Sequence, residues 1–149
     1  RIGRLEEAVR IIPALWKGLP LTFHGKYYDL KEALAIGPLP SAPRLIVAAN
    51  LPRTARLAGG LADGVNFTWY YRDRLPSLFS ALDEGLASSG RSRDQFDCSL
   101  HVRWHDLVPD SLAALRGWEQ MGFSRVVIYL ERPFPLKEIR GLARRLNLA

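Results

Sequence analysis

The stretch Pro43–Asn66, PRLIVAANLPRTARLAGGLADGVN, decides how the rest of the chain is read. Leu45, Ile46 and Val47 form a short continuous apolar run, the pattern of a strand covered on both faces. Ala48 and Ala49 follow, small enough to permit close approach to the backbone. Pro52 suits the first position of a helix, because its missing N–H has no intrahelical partner there. Ala55, Leu57, Ala58 and Leu61 then recur at helical spacing. Gly64 releases the chain into a second strand, Val65–Phe67. The reading is strand, small-residue turn, proline-opened helix, strand. Free N–H groups and the positive end of a helix dipole meet at the strand's C-terminal end, a place for an anion.

The same alternation continues outward. Upstream, Leu5, Ala8, Val9, Ile12, Leu15 and Trp16 place one apolar stripe on a helix over about Arg4–Lys17, with Pro13 expected to kink it. Leu21–Leu30 holds two short β-prone pieces joined at His24-Gly25, a hairpin. Glu32–Ala42 reads as loop, stiffened by Pro38 and Pro40. Downstream, Leu75, Leu78, Phe79, Leu82 and Leu86 mark a helix near Asp73–Ser88, stopped by Ser89-Gly90. Cys98, Leu100, Val102 and Trp104 alternate with Ser99, His101, Arg103 and His105, as a strand requires. A helix capped by Asp110 or Ser111 runs to Met121 and ends at Gly122. Arg125–Leu130 is an apolar strand, and Pro135 opens a last helix. Four strand–helix units in succession predict an α/β fold with a parallel sheet, all within one domain spanning residues 1–149.

Composition sets the class. A chain of 149 residues, 48% hydrophobic and 24% charged, is ordinary for a globular domain with a core of its own. No apolar run is long enough to span a bilayer, so no membrane association is expected. The single cysteine, Cys98, cannot form an internal disulfide, which favours the cytoplasm. The net charge is +6, mostly from arginine. The basic residues are scattered and carry no nucleic-acid-binding motif, so they read as a solvated surface and no nucleic acid is expected as partner. No His, Cys, Asp and Glu group has metal-ligand spacing, and no metal is expected.

The stretch Ala48-Ala49, Asn50-Leu51-Pro52-Arg53, Leu57-Ala58-Gly59 and Ala62-Asp63-Gly64 resembles the fifth strand and following helix of the luciferase-like monooxygenase family. The resemblance extends to Arg4-Leu5-Glu6-Glu7-Ala8 through Leu15-Trp16-Lys17-Gly18, to Thr22-Phe23-His24-Gly25-Lys26-Tyr27-Tyr28, and to Gly122-Phe123-Ser124-Arg125-Val126-Val127-Ile128. It implies a parallel (β/α) half-barrel corresponding to strands 5–8 of a TIM barrel. Full barrels of this kind run to ~250 residues. The chain begins on Arg1, inside an amphipathic helix, and on this resemblance is expected to be a fragment, a truncated frame or one piece of a cleaved enzyme. The resemblance further implies a flavin-type cofactor, either a deazaflavin coenzyme of the F420 type or FMN. Its phosphate is expected at Ala48, Ala49, Asn50, Leu51, Pro52 and Arg53. The small pair Ala48-Ala49 is more like the deazaflavin-using members.

Among other candidates, Ser99, His101 and Arg103 are expected on the inner face of their strand, with Arg103 and His105 nearest the strand ends where barrel chemistry sits. Phe67, Trp69, Tyr70 and Tyr71 can wall a flat ring or simply pack under a loop. His24 lies in a turn facing solvent. No catalytic acid or base stands out. The implied function is part of a flavin- or deazaflavin-dependent oxidoreductase. A non-catalytic half-barrel used for binding or assembly is the alternative. Open sheet edges and a large apolar inner face are expected to draw in a second copy or a missing N-terminal half, leaving the chain alone inactive.

Overall fold

A computed structural model describes residues 1–35, 37, 39, 41–108 and 110–147. Pro38 and Pro40, expected to stiffen the loop before the main sheet, lie outside the described residues.

Helix α1 (Ile2–Leu15) buries Val9 and Ile11. Ile11, not the expected Ile12, faces inward, and Ile12 stays partly exposed. Pro13 falls in the last turn, and the helical hydrogen bond from Trp16 N–H to the Ile12 carbonyl (3.2 Å) carries the chain past it. Strands β1 (Leu21–His24) and β2 (Asp29–Ala33) form the antiparallel hairpin, which runs two residues into the expected loop. Glu7 of α1 holds the hairpin tip. Its carboxylate accepts the N–H groups of Lys26 (2.8 Å), Tyr27 (3.0 Å) and Tyr28 (2.9 Å).

The main sheet contains β3 (Ile46–Ala48), β4 (Gly64–Thr68), β5 (Asp97–Arg103) and β6 (Arg125–Tyr129), in that spatial order. Every neighbouring pair is parallel, as the strand–helix alternation predicts. One face packs on α2 (Pro52–Leu61), α3 (Leu75–Ser88), α5 (Ser111–Gln120) and α6 (Leu136–Arg145). A short helix, α4 (Trp104–Leu107), follows β5 directly.

The core lies between sheet and helices. Val47, Val65, Phe67, Cys98, Leu100 and Val102 point from the strands into it, against Ala55, Ala58, Leu78, Leu82 and Trp118. Phe67 sets its edge against Phe79 (centroids 5.4 Å apart) and Phe123 (6.3 Å). Helices α2 and α3 approach closely at glycines. A Cβ on Gly59 would meet the Leu82 carbonyl, and one on Gly85 the Arg56 carbonyl. Glycine inside a helix costs about 1 kcal/mol against alanine, and here it is what lets the two backbones touch. Asp63 explains the Ala62-Asp63-Gly64 sequence. Its carboxylate accepts Leu45 N–H (2.8 Å), and its own N–H donates to the Leu45 carbonyl (2.9 Å), so the end of α2 is fastened to the start of β3.

Helix α3 starts at Leu75, not near Asp73. Trp69–Arg74 forms a 3₁₀ turn instead: Pro76 has no N–H to give the Arg72 carbonyl, which accepts the Leu75 N–H in an i→i+3 bond. Strand β5 ends at Arg103, so Trp104 leaves the expected alternation. The turn into α4 is fixed by the Asp106 carboxylate, which accepts Arg103 N–H at 2.9 Å. The inner face of the sheet carries Ser99, His101 and Arg103 as expected, but its overall character differs from the large apolar face expected. It is mixed rather than apolar, because alternation sends Asn66, Ser99, His101, Arg103 and Arg125 to that side along with Ala48, Val127 and Tyr129. At the N-terminal end of the sheet, the buried carboxylate of Asp97 lies 2.7 Å from the Arg125 guanidinium and 3.5 Å from that of Arg44.

Candidate functional site

The C-terminal ends of β3, β4, β5 and β6 open onto a cavity of about 700 Å³. Each element contributes a side chain. Asn50 comes from the turn after β3, Thr68 from the end of β4, and His101 and Arg103 from β5. Tyr129 comes from β6, and its ring lies 6.2 Å from that of His101, edge to face. The 3₁₀ turn supplies Tyr70, Tyr71 and Arg72, while α4 supplies His105 and Asp106.

The six residues of the small-residue turn divide by role. Ala48 is exposed on the inner face. Ala49 is fully buried and donates its N–H to the Asn66 carbonyl (2.9 Å), so its amide belongs to the sheet. Asn50 reaches the cavity, and its buried Oδ1 has no hydrogen-bond partner among the described residues. Leu51 is extended at the helix N-cap, and its carbonyl accepts the N–H groups of Thr54 and Ala55, each at 3.0 Å. Thr54 therefore offers no free amide. Pro52 has no N–H to give. Among the described residues the amides of Asn50, Leu51 and Arg53 have no acceptor, and the Arg53 side chain is exposed. The donors of the turn are therefore these three amides and the Arg53 guanidinium.

Of the other expected residues, His101, Arg103, His105, Tyr70 and Tyr71 do meet at the cavity. His105 stands 3.6 Å from the Asp106 carboxylate. The rings of Tyr70 and Tyr71 are edge to face at 5.0 Å, and the Arg74 guanidinium lies over Tyr71 at 4.8 Å. Ser99 is not available. Its hydroxyl donates to the Val65 carbonyl (3.0 Å) and accepts from Asn66 Nδ2 (2.9 Å). Phe67 faces the helices and walls nothing in the cavity. Trp69 packs edge-on against Trp118 at 5.4 Å. His24 pairs with Asp29 on the hairpin (2.6 Å), outside the cavity. Thr68, Arg72, Asp106 and Tyr129 were not singled out from sequence. Tyr129 carries a usable signal, since it closes an apolar run at the functional end of a parallel strand.

A parallel sheet with helices on one face and a cavity at its strand C-termini is an α/β arrangement in which ligand sites, where present, lie at that end. A family model described as luciferase-like monooxygenase matches residues 1–106, and the chain belongs to that family. Among curated relatives, an F420-dependent glucose-6-phosphate dehydrogenase of Microbacterium testaceum is 33% identical over 128 residues, covering 83% of this chain and 38% of the relative. One of the same name from Intrasporangium calvum is 38% identical over 132 residues, again covering 83% of this chain and 38% of the relative. The chain thus spans less than half the length of these relatives. Two solved structures share the fold. An F420-dependent secondary alcohol dehydrogenase in complex with an F420-acetone adduct superposes with a TM-score of 0.69 at 15% identity, covering 82% of this chain and 54% of that one. A coenzyme F420 dependent tetrahydromethanopterin reductase from Methanopyrus kandleri gives 0.60 at 23% identity, covering 66% of this chain and 29% of that one. Among the described residues no helix is long and apolar enough to cross a membrane.

Proposed function

We propose that this chain supplies the cofactor-phosphate turn and one wall of the ring cavity of a deazaflavin-dependent oxidoreductase, with residues 1–149 acting as one domain. The observation that carries the reading is the meeting of the turn Ala48–Arg53 and the cavity at one end of the parallel sheet. The names of the curated relatives favour F420 over FMN.

The residues present fit such a cofactor. Its phosphate needs donors and positive charge, which the Arg53 amide and guanidinium provide. Its flat ring needs planar walls, which Tyr70, Tyr71 and His101 provide. The cavity volume falls in the range usual for cofactor sites. When bound, the cofactor supplies the hydride chemistry. The role of this chain is to hold the phosphate, orient the ring and keep water from one side of it.

The outer edges of β3 and β6 have no partner strand among the described residues. In this reading, strands from a second copy or from further polypeptide close the cavity. Those same open edges favour the alternative of a non-catalytic assembly module.

The test is a fluorescence titration of the chain with coenzyme F420, run in parallel with FMN. Saturable binding of F420, tighter than of FMN, is the expected result. Failure to bind either coenzyme overturns the cofactor reading and leaves the assembly module.

A further inference from the structure

The two open edges of the sheet are not equivalent. β3 is only three residues long, and shortness itself protects an edge. β6 is longer and unguarded. Val126–Leu130 carries no charge and no proline, and the register of β6 on β5 runs without a bulge. Its apolar side chains are poorly covered on both faces. Val127 is 46% and Tyr129 53% exposed on the inner face. On the helix face a cavity of about 710 Å³ between α5 and α6 reaches Val126 and Ile128, which stay half-buried. A free strand with bare apolar flanks is a template for one more strand.

We propose that β6 pairs antiparallel with β6 of a second copy of this chain, around a two-fold axis through Ile128. Symmetry sets the direction, because two copies of one strand paired across such an axis run antiparallel. Charge sets the register. With the axis at Ile128, Arg125 faces Glu131 of the second copy, Val126 faces Leu130, and Val127 faces Tyr129. The axis repeats each pair. Facing residues share one side of the sheet, and Arg125 and Glu131 meet that condition. Alternation sends Arg125 to the inner face, and the Glu131 carboxylate lies 3.9 Å from the Arg103 guanidinium on the same face. Both side chains are exposed. An axis at Val127 would instead set Arg125 against Tyr129 and Glu131 against Phe123, and no charges would meet. In the Ile128 register the second copy's Val127 lies beside Tyr129 and extends the β6 side of the cavity. The pairing rests on the open edge described above and not on the cofactor.

The test uses the chain without coenzyme. Light scattering at micromolar concentration should give a mass near twice 16.8 kDa, and a monomer mass overturns the proposal. Introduced cysteines then read the axis, since the natural Cys98 is buried. In Ile128→Cys the two new residues face each other with Cα atoms about 4.5–5.5 Å apart, within the reach of a disulfide. In Val127→Cys they are offset by two residues along the strands, about 8 Å apart and out of reach. Mild oxidation should join Ile128→Cys into a covalent dimer about tenfold faster, or more, than Val127→Cys. Equal rates, or a faster Val127→Cys, overturn the proposal. Glu131→Arg, at an exposed position, covers the case in which Ile128→Cys does not fold. It sets like charges against each other twice and should raise the dimer dissociation constant about tenfold or more. A dimer as tight as wild type overturns the proposal. No readout involves a coenzyme, so failure of the dimer and failure of the F420 titration are separate results.

Discussion

Ala48 and Ala49 are consecutive, yet they serve opposite sides of the sheet. Ala48 is exposed on the inner face, and Ala49 is wholly buried in the core between sheet and helices. The two positions therefore separate binding from folding. Ala48→Phe should weaken F420 binding while leaving the melting temperature near that of wild type. Ala49→Phe should overpack the core at a cost of about 1–3 kcal/mol, read by urea denaturation. Equal F420 affinity in Ala48→Phe and wild type would remove the turn from the cofactor site.

Arg53 is the one charged side chain of the turn Ala48–Arg53, and it is exposed. Arg53→Ala is expected to lower F420 affinity by about tenfold or more, as befits a charge-assisted hydrogen bond of about 1.5–3 kcal/mol. The exposed side chain makes little difference to stability. The affinity of wild type, and not that of the variant, should fall steeply as salt is raised.

Glu7 gives the hairpin a dependence on acid. Desolvation pulls its pKa upward, but the backbone N–H groups of Tyr27, Tyr28 and Lys26 and the Lys26 charge outweigh it and hold the pKa below the ordinary value. A depressed folded pKa means that the carboxylate stabilises the hairpin above the unfolded value of ~4.3. That contribution disappears as pH falls through the lower folded value. Amide exchange at residues 26–28 should accelerate over that acid range in wild type. Glu7→Gln should show fast exchange already at neutral pH and no acid transition.

Cys98 is expected to be inert. Burial pushes its thiol up to about 12, helped by Asp97 and Asp83 and only partly opposed by Arg93. At pH 8 the native protein should not react with an aromatic disulfide reagent, and one equivalent should react after unfolding in guanidinium. Rapid labelling of the folded chain would contradict the burial of this strand.

Gly85 tests the helix contact. Gly85→Ala places a methyl group against the Arg56 carbonyl. Higher helix propensity favours the variant by up to about 1 kcal/mol, but backbone cannot yield as a side chain can. A net loss of stability in urea denaturation is the expected outcome, while Gly117→Ala, where nothing lies close, should gain.

The parallel sheet was legible because each strand is a short apolar run and each helix has a clear stripe. Element ends were less so. Trp104 continues the alternation of Cys98, Leu100 and Val102, but the Asp106 carboxylate captures the Arg103 N–H and turns the chain into helix. Side-chain alternation alone cannot reveal such a capture. The turn Ala48–Arg53 was visible as a motif, whereas its hydrogen-bond accounting was not. That Thr54 bonds to Leu51, and that Asn50 Oδ1 bonds to nothing among the described residues, follows from backbone direction. For Phe67 the two readings, cavity wall or packing, could not be separated from its aromatic neighbours Trp69 to Tyr71; strand parity sends it to the helices as packing.

Asp97 gathers Arg44, at the approach to β3, and Arg125, at the start of β6, onto one buried carboxylate. These arginines belong to segments far apart in the sequence, and one buried carboxylate pairs with both. Asp97 thus ties the two edge strands of the sheet to a central one through charge, and removing its carboxylate would deprive both guanidinium groups of this counterion.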